Sequence, residues 1–335
     1  MTVKVQKAVV YEKSLSEQDI MLKIAQLFLV ISCLLVFRAA GFSESSAFSL
    51  LPDYNLQPAS LVDVAQLYRY AMISELTTGT LYVYERRNNG RFLLVDTMAL
   101  SIGKEGYGKS VEGDNKTPVG VYRITSHLTP DQLDDFYGYA AYPVNYPNAW
   151  DRLNGRTGYG IWLHAEPMGL KEKNRPLLDS NGCIILSNND IDKVKQYIDV
   201  GYTYIIMTPK VKMVPVSQIK KLRETIYKKL DEWQVAWETL QPQPYLSFYS
   251  KDFFNLEKNW SQWVSYKTRI HKLKKFIDIS VSEVGIYAYS GERDIMWVEF
   301  YQSYRSSNFQ SQGWKRQLWK LEQDDEWRII YEGGG

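Results

Sequence analysis

The chain has 335 residues, 45% apolar and 23% charged, ordinary globular values that exclude long disorder, a collagen-like repeat and a multi-span membrane protein. Lys and Arg total 40 against 38 Asp and Glu, a net charge of +2 without the basic excess of a dedicated nucleic-acid binder. Two cysteines (Cys33, Cys183) and three histidines (His127, His164, His271) exclude a Cys-rich zinc module and a disulfide-dense scaffold, and no metal or cofactor set is read.

The length suggests about two domains. In chain order, Ile24 to Phe37 comes first, an almost wholly apolar run between Lys23 and Arg38. At about 14 residues it is shorter than the ~20 that a membrane-spanning helix needs, and it fits the apolar core of an export signal. Ala39 to Ser43 supplies small residues for cleavage, so residues 1–43 read as a signal peptide or a retained membrane anchor. Cleavage would leave Cys183 alone in an oxidising compartment, either a buried inert residue or a thiol kept for chemistry.

Residues 44–70 read as a helical lead-in, with Leu61, Val64, Ala65, Leu67 and Tyr68 on one face. From Ala71 the period becomes two. Strands are predicted at Met72–Leu76, Thr80–Tyr84, Phe92–Ser101 and Val121–Ile124. Ile161–His164, Gly182–Leu186 and Tyr202–Met207 are further strand-like runs. A helix is expected over Asn189–Val200, capped by Asn188 or Asn189. Val216 to Leu240 has helical spacing, and Gln241-Pro242-Gln243-Pro244 reads as a linker. A second helical stripe runs from Phe253 to Leu273. Four strand-like runs follow at 277–289, 295–304, 314–321 and 327–331, the pattern of a compact α+β domain.

His164 ends one apolar strand-like run and Cys183 opens the next, in Ser180-Asn181-Gly182-Cys183-Ile184. Cysteine catalysis needs a thiolate, and a neighbouring imidazole can take the proton. A glycine before the nucleophile lets backbone N–H groups approach a developing oxyanion.

These residues resemble the signature of the L,D-transpeptidase catalytic domain: a histidine, a gap, then Ser-x-Gly-Cys-apolar. Upstream segments agree over roughly Ala71 to Met207. Ala71–Tyr84 is similar to the family's opening strand pair, and Ser101-Ile102-Gly103-Lys104 to the strand end before its glycine-rich loop. Asp114–Tyr122 is similar to its Thr-Pro-x-Gly-x-Tyr turn, and Tyr146-Pro147-Asn148 to its Tyr-Pro-Asn element. Tyr249, Phe253, Trp260, Phe300-x-Gln302-x-Tyr304 and Leu318-Trp319 resemble a nuclear-transport-factor-2-like module. A signal, the catalytic domain and this module together resemble the cell-shape-determining subgroup that trims tetrapeptides to tripeptides.

The resemblance implies a β-rich, sandwich-like catalytic domain (71–210), a helix and linker (211–244) and an α+β nuclear-transport-factor-2-like domain (245–332). It implies a periplasmic enzyme acting on peptidoglycan stem peptides without a cofactor. Cys183 would be the nucleophile, attacking the diaminopimelate–D-Ala bond, and His164 the general acid/base. Gly182 and Cys183 N–H groups would bind the oxyanion, supported by Ser180 and Asn181, and the Ala165 carbonyl would orient the imidazole. The thioester would pass to an amine or to water. The alternative is a non-catalytic wall-binding or scaffolding protein, and a homodimer through the C-terminal module stays open.

Two departures stand out. Ile185 occupies the position where the family usually has arginine, and Ala165 replaces the usual glycine or serine. Arg152, Arg156 and Arg175 are candidates to substitute for that arginine, and Tyr146 and Arg175 are candidate substrate contacts.

Gly103 to Ser110 matches the P-loop pattern letter for letter, but turn-formers follow where a phosphate-binding helix must start, so a loop near the active site is expected. His127 and His271 read as surface or packing residues. The basic stretch Lys251 to Lys275 reads as a solvated helix face and the C-terminal Trp and Tyr stripes as core, with a groove for an anionic glycan or peptide as the alternative.

Overall fold

The computed structural model describes residues 55–167, 169, 175–289 and 294–334. The expected leader, with Cys33, lies outside them, as does the start of the lead-in.

The chain is mostly strand. β3 (Tyr70–Glu75), β4 (Thr80–Arg86) and β5 (Phe92–Gly103) form an antiparallel meander. β6 (Gly120–Arg123), β7 (Ala141–Pro143), β8 (Trp162–Ala165), β9 (Leu178–Ser180), β10 (Ile184–Leu186) and β11 (Tyr204–Thr208) complete a nine-stranded sheet. Its order is β6-β11-β3-β4-β5-β10-β8-β7, with β9 beside β5. Two short helices lie between strands, α1 (Ala149–Leu153) and α2 (Asn188–Lys195). The cap of α2 is Ser187, whose Oγ accepts the Asp190 amide at 3.1 Å, one residue before the expected asparagines.

Period-two alternation divides this sheet between two cores. Met72, Leu81, Val83, Tyr122, Ile205 and Met207 fill one side. Ala71, Ile73, Tyr84, Val121, Tyr204 and Ile206 fill the other, against Tyr287, Trp297, Leu318 and Ile330 of the second domain. Burial on both faces explains why Tyr204-Ile205-Ile206-Met207 is apolar without a break. Each fully buried side chain of this kind contributes roughly 1.5–3 kcal/mol of transfer free energy.

The second sheet has the order β16-β15-β14-β13-β2. Its long strands are β13 (Ile277–Ala288), β14 (Ile295–Ser306), β15 (Phe309–Leu321) and β16 (Trp327–Gly334). β2 (Leu61–Asp63) comes from the lead-in, which corrects the helical expectation for this stretch. Together with β1 (Leu56–Pro58), which pairs with β12 (Met213–Pro215), it is extended. The free edge of β13 supplies backbone partners, and a short apolar run such as Leu61-Val62 serves a buried strand as readily as a helix.

The linker reading at 241–244 is also corrected. α3 (Val216–Glu238) buries Ile226, Leu230, Trp233 and Trp237 in the C-terminal core. Pro242 then starts α4 (Pro242–Leu246), where proline is tolerated at the first turn, and Tyr245 is fully buried. The last helix, α5 (Trp260–Lys272), starts later than its stripe suggested. Asn259 caps it and Phe253 packs ahead of it as core.

Candidate active site

β8 and β10 run parallel, with Ile184 opposite Leu163 and Ile185 opposite His164. Leu163, Ala165, Ile184 and Leu186 point into the core of the first sheet. Alternation therefore turns Trp162, His164, Cys183 and Ile185 to the other face. Tyr137 and Phe136, on the turn Asp135–Tyr137, stand over His164 with ring centroids at 5.2 and 6.4 Å.

His164 is buried, and its Nδ1 lies 2.7 Å from the Ala165 carbonyl. Burial pushes the imidazole down to about 4. The carbonyls of Ala165 and Tyr137 oppose that shift, and the charge of Arg175 adds to it. The Cys183 thiol donates to the Gly160 carbonyl at 3.3 Å. Burial pushes this thiol up to about 11, against smaller downward pulls from the Trp162 backbone and Lys109. The thiol and the imidazole are thus both neutral at rest.

The turn before Cys183 is tied from both sides. Ser180 Oγ donates to the Cys183 carbonyl at 2.7 Å and accepts the Gly182 amide at 3.0 Å. Thr117 Oγ1 donates to the Gly182 carbonyl at 2.9 Å and accepts the Gly103 amide. Gly182 has φ +124°, and a Cβ there would sit 2.8 Å from the Lys116 carbonyl. The Gly182 amide is already used by Ser180, which corrects its expected part in an oxyanion hole: its task is to let the turn form. Asn181 is exposed at the tip.

Tyr146 departs from expectation. It is buried in the core, its hydroxyl donates to the Thr157 carbonyl at 3.0 Å, and its ring meets Tyr122 edge-on. In this position it ties the 146–157 loop to the core. Of the candidate arginines, Arg156 pairs with buried Asp151 at 3.0 Å, while Arg175 pairs with Asp179 at 2.8 Å and bears on His164.

Sequence reasoning missed Lys109. It lies in the P-loop-like stretch, where β5 ends at Gly103 and no helix intervenes before β6. Its ammonium is buried against Asp114 at 2.8 Å. Burial raises the Asp114 carboxyl, but the bonds from Lys109 and the Ser110, Val111 and Lys116 amides outweigh that and hold it at about 2. The clue was a lysine between glycines in a loop that closes on the Ser180–Cys183 turn.

Among the described residues no cluster of three His, Cys, Asp or Glu could hold a metal. His127 stacks on Tyr142 at 4.7 Å. The C-terminal domain carries a separate, solvent-open cavity of about 820 Å³, lined in part by Trp237, Trp263, Lys267, Gln302, Lys315 and Glu332. The solvated-face reading fails at Lys267, which is buried over Trp237 and Trp263 at 4.4 and 4.5 Å. Burial pushes it down to about 7, opposed by Glu332.

Residues 69–213 match the L,D-transpeptidase catalytic domain family, and residues 225–333 match the Cds6 C-terminal NTF2-like domain family. Putative L,D-transpeptidase YafK of Escherichia coli (strain K12) is 25% identical over 216 residues, which is 64% of this chain and 77% of that one. The structure of Bdellovibrio bacteriovorus Bd1075 superposes with a TM-score of 0.70 at 29% identity, covering 84% of this chain and 98% of that one. The helical cell shape determining protein Pgp2 from Campylobacter jejuni gives a TM-score of 0.68 at 28% identity, covering 85% and 97%.

Proposed function

With residues 69–213 an L,D-transpeptidase catalytic domain and residues 225–333 an NTF2-like domain, we propose that this chain is an exported, peptidoglycan-modifying cysteine acyltransferase. The observation that supports the proposal is the parallel register of β8 and β10, by whose alternation His164 on β8 and Cys183, just before β10, lie on the same side of the sheet.

The chemistry follows from the neutral resting pair. Nδ1–H bonded to the Ala165 carbonyl leaves Nε2 as the base. As Sγ attacks the diaminopimelate carbonyl carbon of a tetrapeptide stem, its proton passes to Nε2. The Cys183 amide, with Gly182 occupied by Ser180, is the backbone donor for the oxyanion. Collapse breaks the bond to D-Ala, whose amine takes the proton back from the imidazolium. Water then releases a tripeptide, or an amine forms a cross-link. With Ile185 where the family has arginine, Arg175, whose charge bears on His164, is the cation assigned to meet the stem's terminal carboxylate. The likeness to Pgp2, a helical cell shape determining protein, extends the proposal to cell shape.

A second reading, a wall-binding protein without catalysis, is favoured by one observation, the aromatic and lysine-lined C-terminal cavity. The full chain and a Cys183→Ala variant, each given a disaccharide-tetrapeptide and then sacculi, separate the readings by mass spectrometry. Tripeptide absent from the variant identifies an L,D-carboxypeptidase, and a cross-linked dimer a transpeptidase. Neither product from either substrate overturns the enzyme reading.

A further inference from the structure

The Lys109–Asp114 pair is buried inside a loop, an arrangement that seldom adds net stability, because desolvating two charges offsets their attraction. Its location supplies a reason. Lys109 Nζ donates to Asp114 Oδ1 at 2.8 Å and to the Val111 carbonyl at 3.1 Å. Asp114 in turn accepts the amides of Ser110, Val111 and Lys116. The loop so closed reaches Cys183 from two sides. On one side, the Lys116 carbonyl and the Thr117 hydroxyl pack on Gly182. On the other, the Ser110 carbonyl accepts the Thr157 amide at 3.0 Å, and Lys109 Cε would lie 3.2 Å from a Cβ at Gly158. Two residues on, the Gly160 carbonyl receives the Cys183 thiol.

We propose that Lys109 is a positioning residue for the Cys183 thiolate: its ammonium, held by Asp114, supplies the positive field in which the thiol loses its proton, and it pins the loop that carries Gly160. The charges that bear on the thiol and its neighbours are Lys109, paired with Asp114, on the loop side, Tyr137, which feels the Cys183 charge, and Arg175, which bears on His164. Lys109 is the buried cation of this loop, and its charge favours the Cys183 thiolate.

The inference rests on the reading of Cys183 as nucleophile, but its test does not need turnover. Iodoacetamide labelling of Cys183, resolved from Cys33 by peptide mass spectrometry, is followed against pH in the full chain. In Lys109→Met the labelling midpoint moves up by about one unit, so labelling at a given pH slows about tenfold. In Asp114→Asn, which leaves the ammonium uncompensated, it moves down. Lys109→Arg stays near the parent. Opposite signs are the mark of a field, since a loosened loop would move both variants the same way. A Lys109→Met profile that superimposes on the parent, or shifts of one sign in both variants, overturns the inference. If Lys109→Met does not fold, Asp114→Asn alone decides: downward supports, unchanged or upward overturns. The nucleophile reading fails separately, if Cys183→Ala still makes tripeptide.

Discussion

The Ser180 hydroxyl donates to the carbonyl of Cys183 at 2.7 Å while it accepts the amide two residues on. One small side chain thereby fixes the turn that delivers the thiol. Ser180→Ala leaves the buried Gly182 N–H unpaired, which costs about 1–3 kcal/mol. It also frees Cys183 to move, and under the role proposed for Cys183 as nucleophile such misplacement lowers the rate by up to about a hundredfold. The expected outcome is a lower melting temperature with kcat on the tetrapeptide reduced more than KM is raised. An unchanged kcat would show that the turn holds without the hydroxyl.

Gly182 should tolerate no side chain. Its φ of +124° is a region that L residues rarely adopt, and an added Cβ would press within 2.8 Å of the Lys116 carbonyl and 3.2 Å of Ile161. Strain of this kind costs on the order of 1–3 kcal/mol. Gly182→Ala is expected to fold, with an unaltered far-UV spectrum, and to lose turnover. Retained turnover would mean that the turn is not part of the chemistry.

Acid should destabilise the protein through its buried histidines. His164 is held down to about 4, mainly by burial, from an ordinary value near 6.5. Between those values the unfolded chain binds a proton that the folded chain refuses. Stability is therefore full above pH 6.5 and falls as pH drops towards 4, by about 3 kcal/mol for this group. His271, also buried and pushed down to about 4, acts in the same window. The Cys183 thiol, raised to about 11 from 9, takes stability away above pH 9. Urea unfolding of the parent and His164→Gln at pH 7.5 and 5 tests this, with the variant losing less between the two pH values. Equal losses would show that His164 is protonated in the folded chain.

How much of this was legible in the sequence depended on how local the signal was. The face shared by His164 and Cys183 follows from two short apolar runs and the rule of alternation. The β3–β4 pair, α3 and the long C-terminal strands carry the same kind of pattern, repeated over many residues. β2 escaped because three residues cannot display a period, and its partner β13 lies more than two hundred residues away. Pro242 looked like a break because proline marks both the end of one helix and the first turn of the next. The burial of Tyr146 was not legible because it is decided by packing against Tyr122, a contact between loop and sheet. Lys109 was invisible as part of the site because Thr117 and Ser180 bring its loop to the cysteine through tertiary bonds.

The two domains should unfold together. Tyr204, on β11 of the first sheet, donates to Glu299 on β14 of the second at 2.6 Å, and it accepts from Trp297 Nε1 at 3.0 Å. Arg316 pairs with the same carboxylate at 3.3 Å. Burial raises the Glu299 carboxyl, while Tyr204 and Arg316 favour its charged form. Around this group Ile73, Val121 and Ile206 pack with Tyr287, Leu318 and Ile330 into one apolar layer, so neither domain can open without exposing the other's core. Calorimetry is expected to show one transition, with calorimetric and van't Hoff enthalpies equal. Tyr204→Phe removes one buried hydrogen bond and should cost about 1–2 kcal/mol. Glu299→Gln should cost more, about 3 kcal/mol, because the Arg316 charge loses its buried partner. Two separated transitions in the parent, or a Glu299→Gln variant as stable as the parent, would show that the junction is a contact between independent domains and not a shared core.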